Sequence, residues 1–176
     1  KPNTEMPLPQ QGRTTFSVLI KGIDPDQAGS VSGIREQLGD VDVGVLKPPK
    51  PGGIPSVIVG KELMKSLGLA VGDTISLVTP IGKEGQRGSA PKRMPFRLAG
   101  TFSSGMNEFD NKLIYVSVAA AQEFTGIDDA VSGIEVKVTD IDRLPEISKR
   151  ILAKVGGWPF RAVDFMQLNA GIFSAL

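Results

Sequence analysis

Histidine and cysteine are both absent from the 176 residues. Without them the chain has no Ser-His-Asp or Cys-His catalysis, no thiol redox chemistry, no disulfide and no zinc site built on nitrogen or sulfur. No apolar run approaches the roughly 20 residues of a membrane-spanning helix, and the stretch from Lys1 onward lacks the apolar core of a signal peptide. An excess of one charge is missing too. The 20 basic and 19 acidic residues leave +1, so neither a polyelectrolyte surface for nucleic acid nor an acidic tail is indicated. What is present is ordinary for a globular chain, with 40% hydrophobic and 22% charged residues. Glycine (21) and proline (13) stand above average, which predicts many turns, short elements and at least one extended loop. Lys1-Pro2 at one end and Phe173-Ser174-Ala175-Leu176 at the other are expected to be cut points in a longer protein.

Residues 1–13 carry three prolines and read as an extended linker. Phe16 to Lys21 predicts a strand, and Asp24-Pro25 opens a helix with Val31, Ile34 and Leu38 on one face before Gly39. The alternation of Val41 to Leu46 predicts a second strand, completing a β-α-β unit. A similar unit is expected near the other end: a strand at Gly133–Val138, a helix carrying Leu144, Ile147, Ile151 and Val155, and a short strand at Phe160–Val163. Two such halves predict an α+β fold with a ferredoxin-like split βαβ sheet, formed by residues 14–46 and 131–163. Between them, residues 47–130 read as an inserted, β-rich subdomain that begins at the Pro/Gly run KPPKPGGIP. Its expected elements are a strand at Ser56–Val59, a helix at Lys61–Leu67, strands at Thr74–Val78, Phe96–Phe102 and Leu113–Val116, and a helix capped by Ser117. Residues 164–176 predict a closing helix, capped by Asp164, with Phe165, Leu168, Ile172 and Leu176 as its apolar stripe.

Candidate chemistry is sparse. Gly60-Lys61 lacks the rest of a phosphate-binding loop, because Pro55 stands where the first glycine belongs and Glu62 where Ser or Thr should follow. The aspartates at 24, 26, 128, 129, 140 and 142 do not have calcium-loop spacing, and caps and turns account for Asp24 and Asp142. Glu108 and Asp110 would share a face only if extended, and paired carboxylates need a site around them to do acid/base work. Ser148 and Lys149 are helix neighbours that point apart. No cofactor and no metal is expected.

The segment Thr79 to Arg97 is different. It joins two strands through a connection far longer than the two to five residues of an ordinary hairpin loop. It carries Lys83, Arg87, Lys92, Arg93 and Arg97 against one acid, Glu84, whereas Leu98 to Glu135 carries six acids against Lys112. A basic protruding arm on a near-neutral chain predicts a partner-recognition element. Nucleic acid is a poor candidate, since no aromatic residue for base stacking precedes Phe96 in the arm.

Four segments, Gly60–Gly82 (GKELMKSLGLAVGDTISLVTPIG), Gly105–Asp110 (GMNEFD), Val131–Asp140 (VSGIEVKVTD) and Asp164–Leu176 (DFMQLNAGIFSAL), together resemble the extracytoplasmic domain of the LolC/LolE family. These are permease subunits of the bacterial lipoprotein-releasing ABC transporter, related more distantly to MacB-type permeases. The resemblance covers nearly everything after Phe16. It implies a Porter-like α/β subdomain with an inserted Sabre-like β-rich one, and a periplasmic location in a protein whose full length is embedded in the inner membrane. It implies no catalysis in this domain: ATP hydrolysis belongs to a separate cytoplasmic subunit, LolD, acting with a second permease copy. The implied work is release of lipoprotein cargo to the soluble carrier LolA. In the LolC branch a Hook hairpin and a neighbouring Pad recruit that carrier. The Hook would fall on 79–91, with Thr79, Pro80, Ile81, Gly82, Lys83, Gln86, Arg87, Gly88 and Pro91 as contact residues, and part of the Pad on Arg93. The chain departs from that pattern at Gly85-Gln86, where Thr-Pro is expected, and at Ile75 and Met94, where further polar or basic Pad positions are expected. Two alternatives are a MacB-like or FtsX-like ectodomain that serves other cargo or a periplasmic partner, and a stand-alone small-molecule enzyme or binding protein.

Overall fold

The computed structural model describes residues 16–28, 34–79, 92–127, 129–164 and 167. Its elements in chain order are β1 (Leu19–Ile23), α1 (Ile34–Leu38), a 3-10 turn (Val43–Leu46), β2 (Ser56–Gly60), α2 (Lys61–Leu67) and β3 (Thr74–Thr79). There follow β4 (Lys92–Phe102), α3 (Asn107–Lys112), β5 (Leu113–Ser117), α4 (Val118–Thr125) and α5 (Leu144–Val155). The fold is α+β, with one curled five-stranded sheet in the order β1-β5-β2-β4-β3. Pairing is parallel for β1 with β5 and for β2 with β4, and antiparallel for β2 with β5 and for β3 with β4.

The central strands are apolar at successive positions because both of their faces are covered. Val57, Val59, Ile114 and Val116 face one core, where Leu63 of α2, Ala120 and Phe124 of α4, and Leu77, Met94, Phe96 and Leu98 also pack. Ile58 and Tyr115 face the other, beneath Ile34 and Leu38 of α1 and Val43 and Leu46 of the 3-10 turn. Each core holds an edge-to-face aromatic pair: Phe96 with Phe124 (centroids 6.2 Å) in the first and Phe102 with Tyr115 (4.9 Å) in the second. The Tyr115 hydroxyl donates to Gln37 Oε1 at 3.3 Å, and Ser103 N–H donates to the Gln37 carbonyl oxygen at 2.9 Å, so α1 is tied to the sheet. Burial, with the nearby negative charges of Glu135 and Asp110 adding to it, pushes the Tyr115 pKa up to about 12, so the phenol stays protonated.

β4 serves both cores. Met94, Phe96 and Leu98 enter the first and Phe102 the second, although all four share one parity. The ladder shows why: Val57 pairs with Leu98 and Ile58 with Gly100, leaving Ala99 without a counterpart on β2. One extra residue reverses the face of everything beyond it. Gly100 then lies against Val41, where a Cβ would come within 2.7 Å of Cγ1.

Most expected elements between Phe16 and Phe124 are present, and three expected strands are not. Val43–Leu46 is a 3-10 turn because the Asp42 carboxylate accepts the Gly44 N–H at 3.0 Å and closes the backbone, leaving Val43 and Leu46, three apart, both buried. Gly133–Val138 and Phe160–Val163 form no strand. Alternation supplies one apolar face, but a strand also needs a ladder, and here Ile134 and Phe160 remain 83% and 60% exposed. The expected sheet shared by Phe16 and Gly133 is therefore corrected: β1 runs instead beside β5, in the sheet that also contains β2, β3 and β4.

The chain forms two compact units, meeting in sequence between Glu135 and Val136. The second contains α5, with Pro145 in its first turn and Arg143 forked onto Glu146 through two bonds of 3.0 Å. The helix is the one expected from Leu144, Ile147, Ile151 and Val155. Val31, the linker 1–13 and nearly all of the closing helix lie outside the described residues. Within them, Asp164 Oδ1 accepts the Gln167 N–H at 2.8 Å, the geometry of the predicted cap.

Deleting Ala99 should be far more damaging than its side chain suggests. We expect a loss in urea unfolding at least as large as for Phe102→Ala, about 3–5 kcal/mol, whereas Ala99→Gly should cost about 1 kcal/mol or less.

Candidate partner-binding surface

β4 pairs with β2 only from Arg97 onward, so Lys92–Phe96 and β3 continue past the rest of the sheet as a two-stranded ribbon. One face of the ribbon carries Ile75, Leu77, Met94 and Phe96 into the first core. On the other, Thr74, Ser76 and Val78 of β3 stand opposite Arg97, Pro95 and Arg93 of β4, and all six are exposed. Neither arginine pairs with a carboxylate among the described residues. The alternation of strand residues thus sorts cations to the open face and apolar groups to the core.

The residues predicted for recognition divide between the described and undescribed parts. Thr79 is buried and pairs with Lys92 at the end of the ribbon. Lys92 donates its ammonium to the Glu123 carbonyl oxygen in the last turn of α4, where the helix dipole favours a cation. Arg93 is on the open face. Pro80, Ile81, Gly82, Lys83, Gln86, Arg87, Gly88 and Pro91 lie outside the described residues. Ile75 and Met94 are on the core side, opposite Arg93. Arg97, one of the cations of the basic segment but not among the contact residues that the resemblance implies, shares the open face with Arg93; its even spacing from Arg93 along the strand is the available signal.

Among the described residues the acidic candidates form no catalytic pair, and Asp128 lies outside them. Glu108 and Asp110 lie on α3, where Glu108 reaches Lys112 at 3.5 Å in solvent. Asp110 is buried, and its carboxylate accepts the Ser104 N–H at 2.8 Å, the Ser104 hydroxyl at 2.7 Å and the Ser103 hydroxyl at 3.2 Å. Burial by itself would raise its pKa, but these donors outweigh it and hold the carboxyl below the usual value of 3.8. The same α3 residue lies so close to β2 that a Cβ at Gly60 would overlap the Asp110 carbonyl. Asp110 is therefore a latch between the Ser103-Ser104 loop and the sheet. A hollow of about 270 Å³ is bordered by Arg35, Asp40 and Asp42 and contains no nucleophile-and-base pair. Among the described residues no group of three or more His, Cys, Asp or Glu is placed to hold a metal.

Comparison with known proteins adds the family context. The model of the MacB-like periplasmic core domain matches residues 3–154. The lipoprotein-releasing system transmembrane protein LolC of Xylella fastidiosa (strain 9a5c) is 29% identical over 166 residues, which cover 94% of this chain and 39% of that protein. Its counterpart from Neisseria meningitidis serogroup B is 25% identical over 160 residues, covering 90% and 37%. The chain thus spans well under half the length of these relatives.

A carboxyl whose pKa is lower in the folded than in the unfolded state contributes stability above the unfolded value and loses it as pH falls through the folded one. Asp110→Ala should cost about 1–3 kcal/mol at neutral pH. In urea midpoints followed from about pH 6 down to pH 2, the difference from the parent chain should shrink below the ordinary carboxylate range.

Proposed function

Because this chain belongs to the family of MacB-like periplasmic core domains, we propose that it is the periplasmic part of a lipoprotein-releasing ABC permease. In this reading the full-length protein acts with a second permease copy and a cytoplasmic LolD-type ATPase, and passes lipoproteins to a LolA-like carrier. The observation that carries it is similarity to LolC over 94% of the chain. The domain itself performs no bond chemistry. Its task is to hold the carrier where cargo leaves the membrane, while the segment from Asp164 onward leads back toward the membrane and transmits the transporter's motion.

Within that reading, the arm from Thr79 to Pro91 is the carrier-binding Hook and Arg93 belongs to the adjoining Pad. Support comes from the arm's length, its cluster of Lys83 and Arg87, and the guanidinium of Arg93 beside the ribbon end, which has no carboxylate partner among the described residues. Ile81 supplies an apolar contact, and the cations steer encounter with an acidic face. With Met94 buried and Ile75 half-buried on the core side, this reading takes the Pad to lie on the Arg93 side. A MacB-like permease with other cargo is the second reading, favoured by the broader description of the matching family.

Purified LolA-like carrier should bind this chain. Replacing 81–90 by a short glycine turn should leave the unfolding midpoint nearly unchanged and abolish that binding, and unchanged affinity would show the arm to be only a loop. Charge reversal at Arg87 and Arg93 should slow association most at low salt, where the Debye length is longest. Absence of carrier binding by the parent chain would favour the MacB-like reading.

A further inference from the structure

The two edges of the sheet are not alike. β1, at one edge, carries Lys21, which pairs with Glu135. β3, at the other, reads TISLVT: it has no charge, no proline and no glycine, and among the described residues no strand pairs with its outer side. Natural edge strands are normally blunted by such residues. The flank of β4 that extends beyond β2 is blunted, by Pro95 between Arg93 and Arg97.

Hydrogen-bond direction shows which groups β3 offers. Leu98 N–H donates across to the Asp73 carbonyl at 2.8 Å, whereas Arg97 N–H turns away from β3 to the Pro55 carbonyl at 2.8 Å. Strand periodicity turns Arg93 and Pro95 the same way as Arg97, so their partners Thr74, Ser76 and Val78 point N–H and C=O toward the free edge. The side chains of these three residues are on the open, cationic face. Strands in a sheet are about 4.8 Å apart. Thr74 is small, so it leaves room for the long side chain of Arg97 opposite it to lie across β3 toward a strand added beyond it, while Arg93, opposite Val78, has the small Ser76 as its diagonal neighbour on the same face.

We propose that the outer edge of β3 is a strand-addition site for an extended, acidic segment of a protein partner. The β3 backbone supplies affinity, and Arg93 and Arg97 supply the preference for carboxylates. The identity of the partner, the carrier, rests on the function proposed above; the edge itself does not.

The probe is a capped peptide of about eight alternating Glu and Val residues, with amide exchange of this chain as the readout. We expect exchange at Thr74, Ser76 and Val78 to slow about tenfold or more at saturation, and the effect to weaken in high salt. Ser76→Pro removes an outward N–H without touching the β3–β4 ladder, and Ser76→Glu opposes an acidic strand while keeping the backbone intact. Both should abolish the protection. No slowing with the peptide, or slowing that survives both variants, overturns the proposal. So does protection of the same amides that grows with chain concentration alone, which would make the occupant a second copy. If the peptide protects the edge and the carrier does not bind the parent chain, the edge stands and the carrier reading falls. If the carrier binds the parent and both variants equally while the peptide protects nothing, the carrier reading stands and the edge falls.

Discussion

β4 must line two cores that lie on opposite faces of one sheet, and the unpaired Ala99 is what permits it. Strand side chains alternate strictly, so a regular β4 that buried Met94, Phe96 and Leu98 would send Phe102 to the same side. The second core would then lose the ring that meets Tyr115, along with the cover that α1 and the 3-10 turn find against it. The same slip lets Gly100 accept the close approach of Val41. Upstream of it, parity leaves Arg93, Pro95 and Arg97 in solvent. The packing of the core and the chemistry of the open face are thus set by one register shift.

A second constraint lies at the other end of β2. Gly60 passes against the backbone of Asp110, and the Asp110 carboxylate gathers the donors of Ser103 and Ser104. The acid that could have suggested catalysis is engaged in holding a loop. Its depressed pKa follows from three donors aimed at one buried carboxylate, a structural arrangement that also perturbs titration. A binding role is in keeping with this. Affinity for a protein partner needs exposed backbone edges and unpaired cations more than it needs a nucleophile.

Much of the local structure was legible because it rests on neighbours in sequence. Ser117 caps α4 by accepting the Ala120 N–H, Pro145 opens α5, and the apolar positions of β2, α2, β3 and β5 announce those elements. The basic character of the ribbon and its approach to the arm could also be read directly. Val43–Leu46 was misread because one side chain, Asp42, bonds to a backbone N–H two residues on. Apolar alternation carries no trace of such a bond.

The sequence by itself determined the element types over most of the first unit, the absence of His and Cys chemistry, and the concentration of cations between Thr79 and Arg97. Only the tertiary structure decided which strands are neighbours, where β4 changes faces, and that the uncharged β3, among the described residues, lies at an edge of the sheet. The reason is physical. Helix caps and strand alternation are governed by residues within a few positions of one another, whereas strand pairing joins segments such as Leu19–Ile23 and Leu113–Ser117, whose choice of edge depends on the packing of the whole sheet.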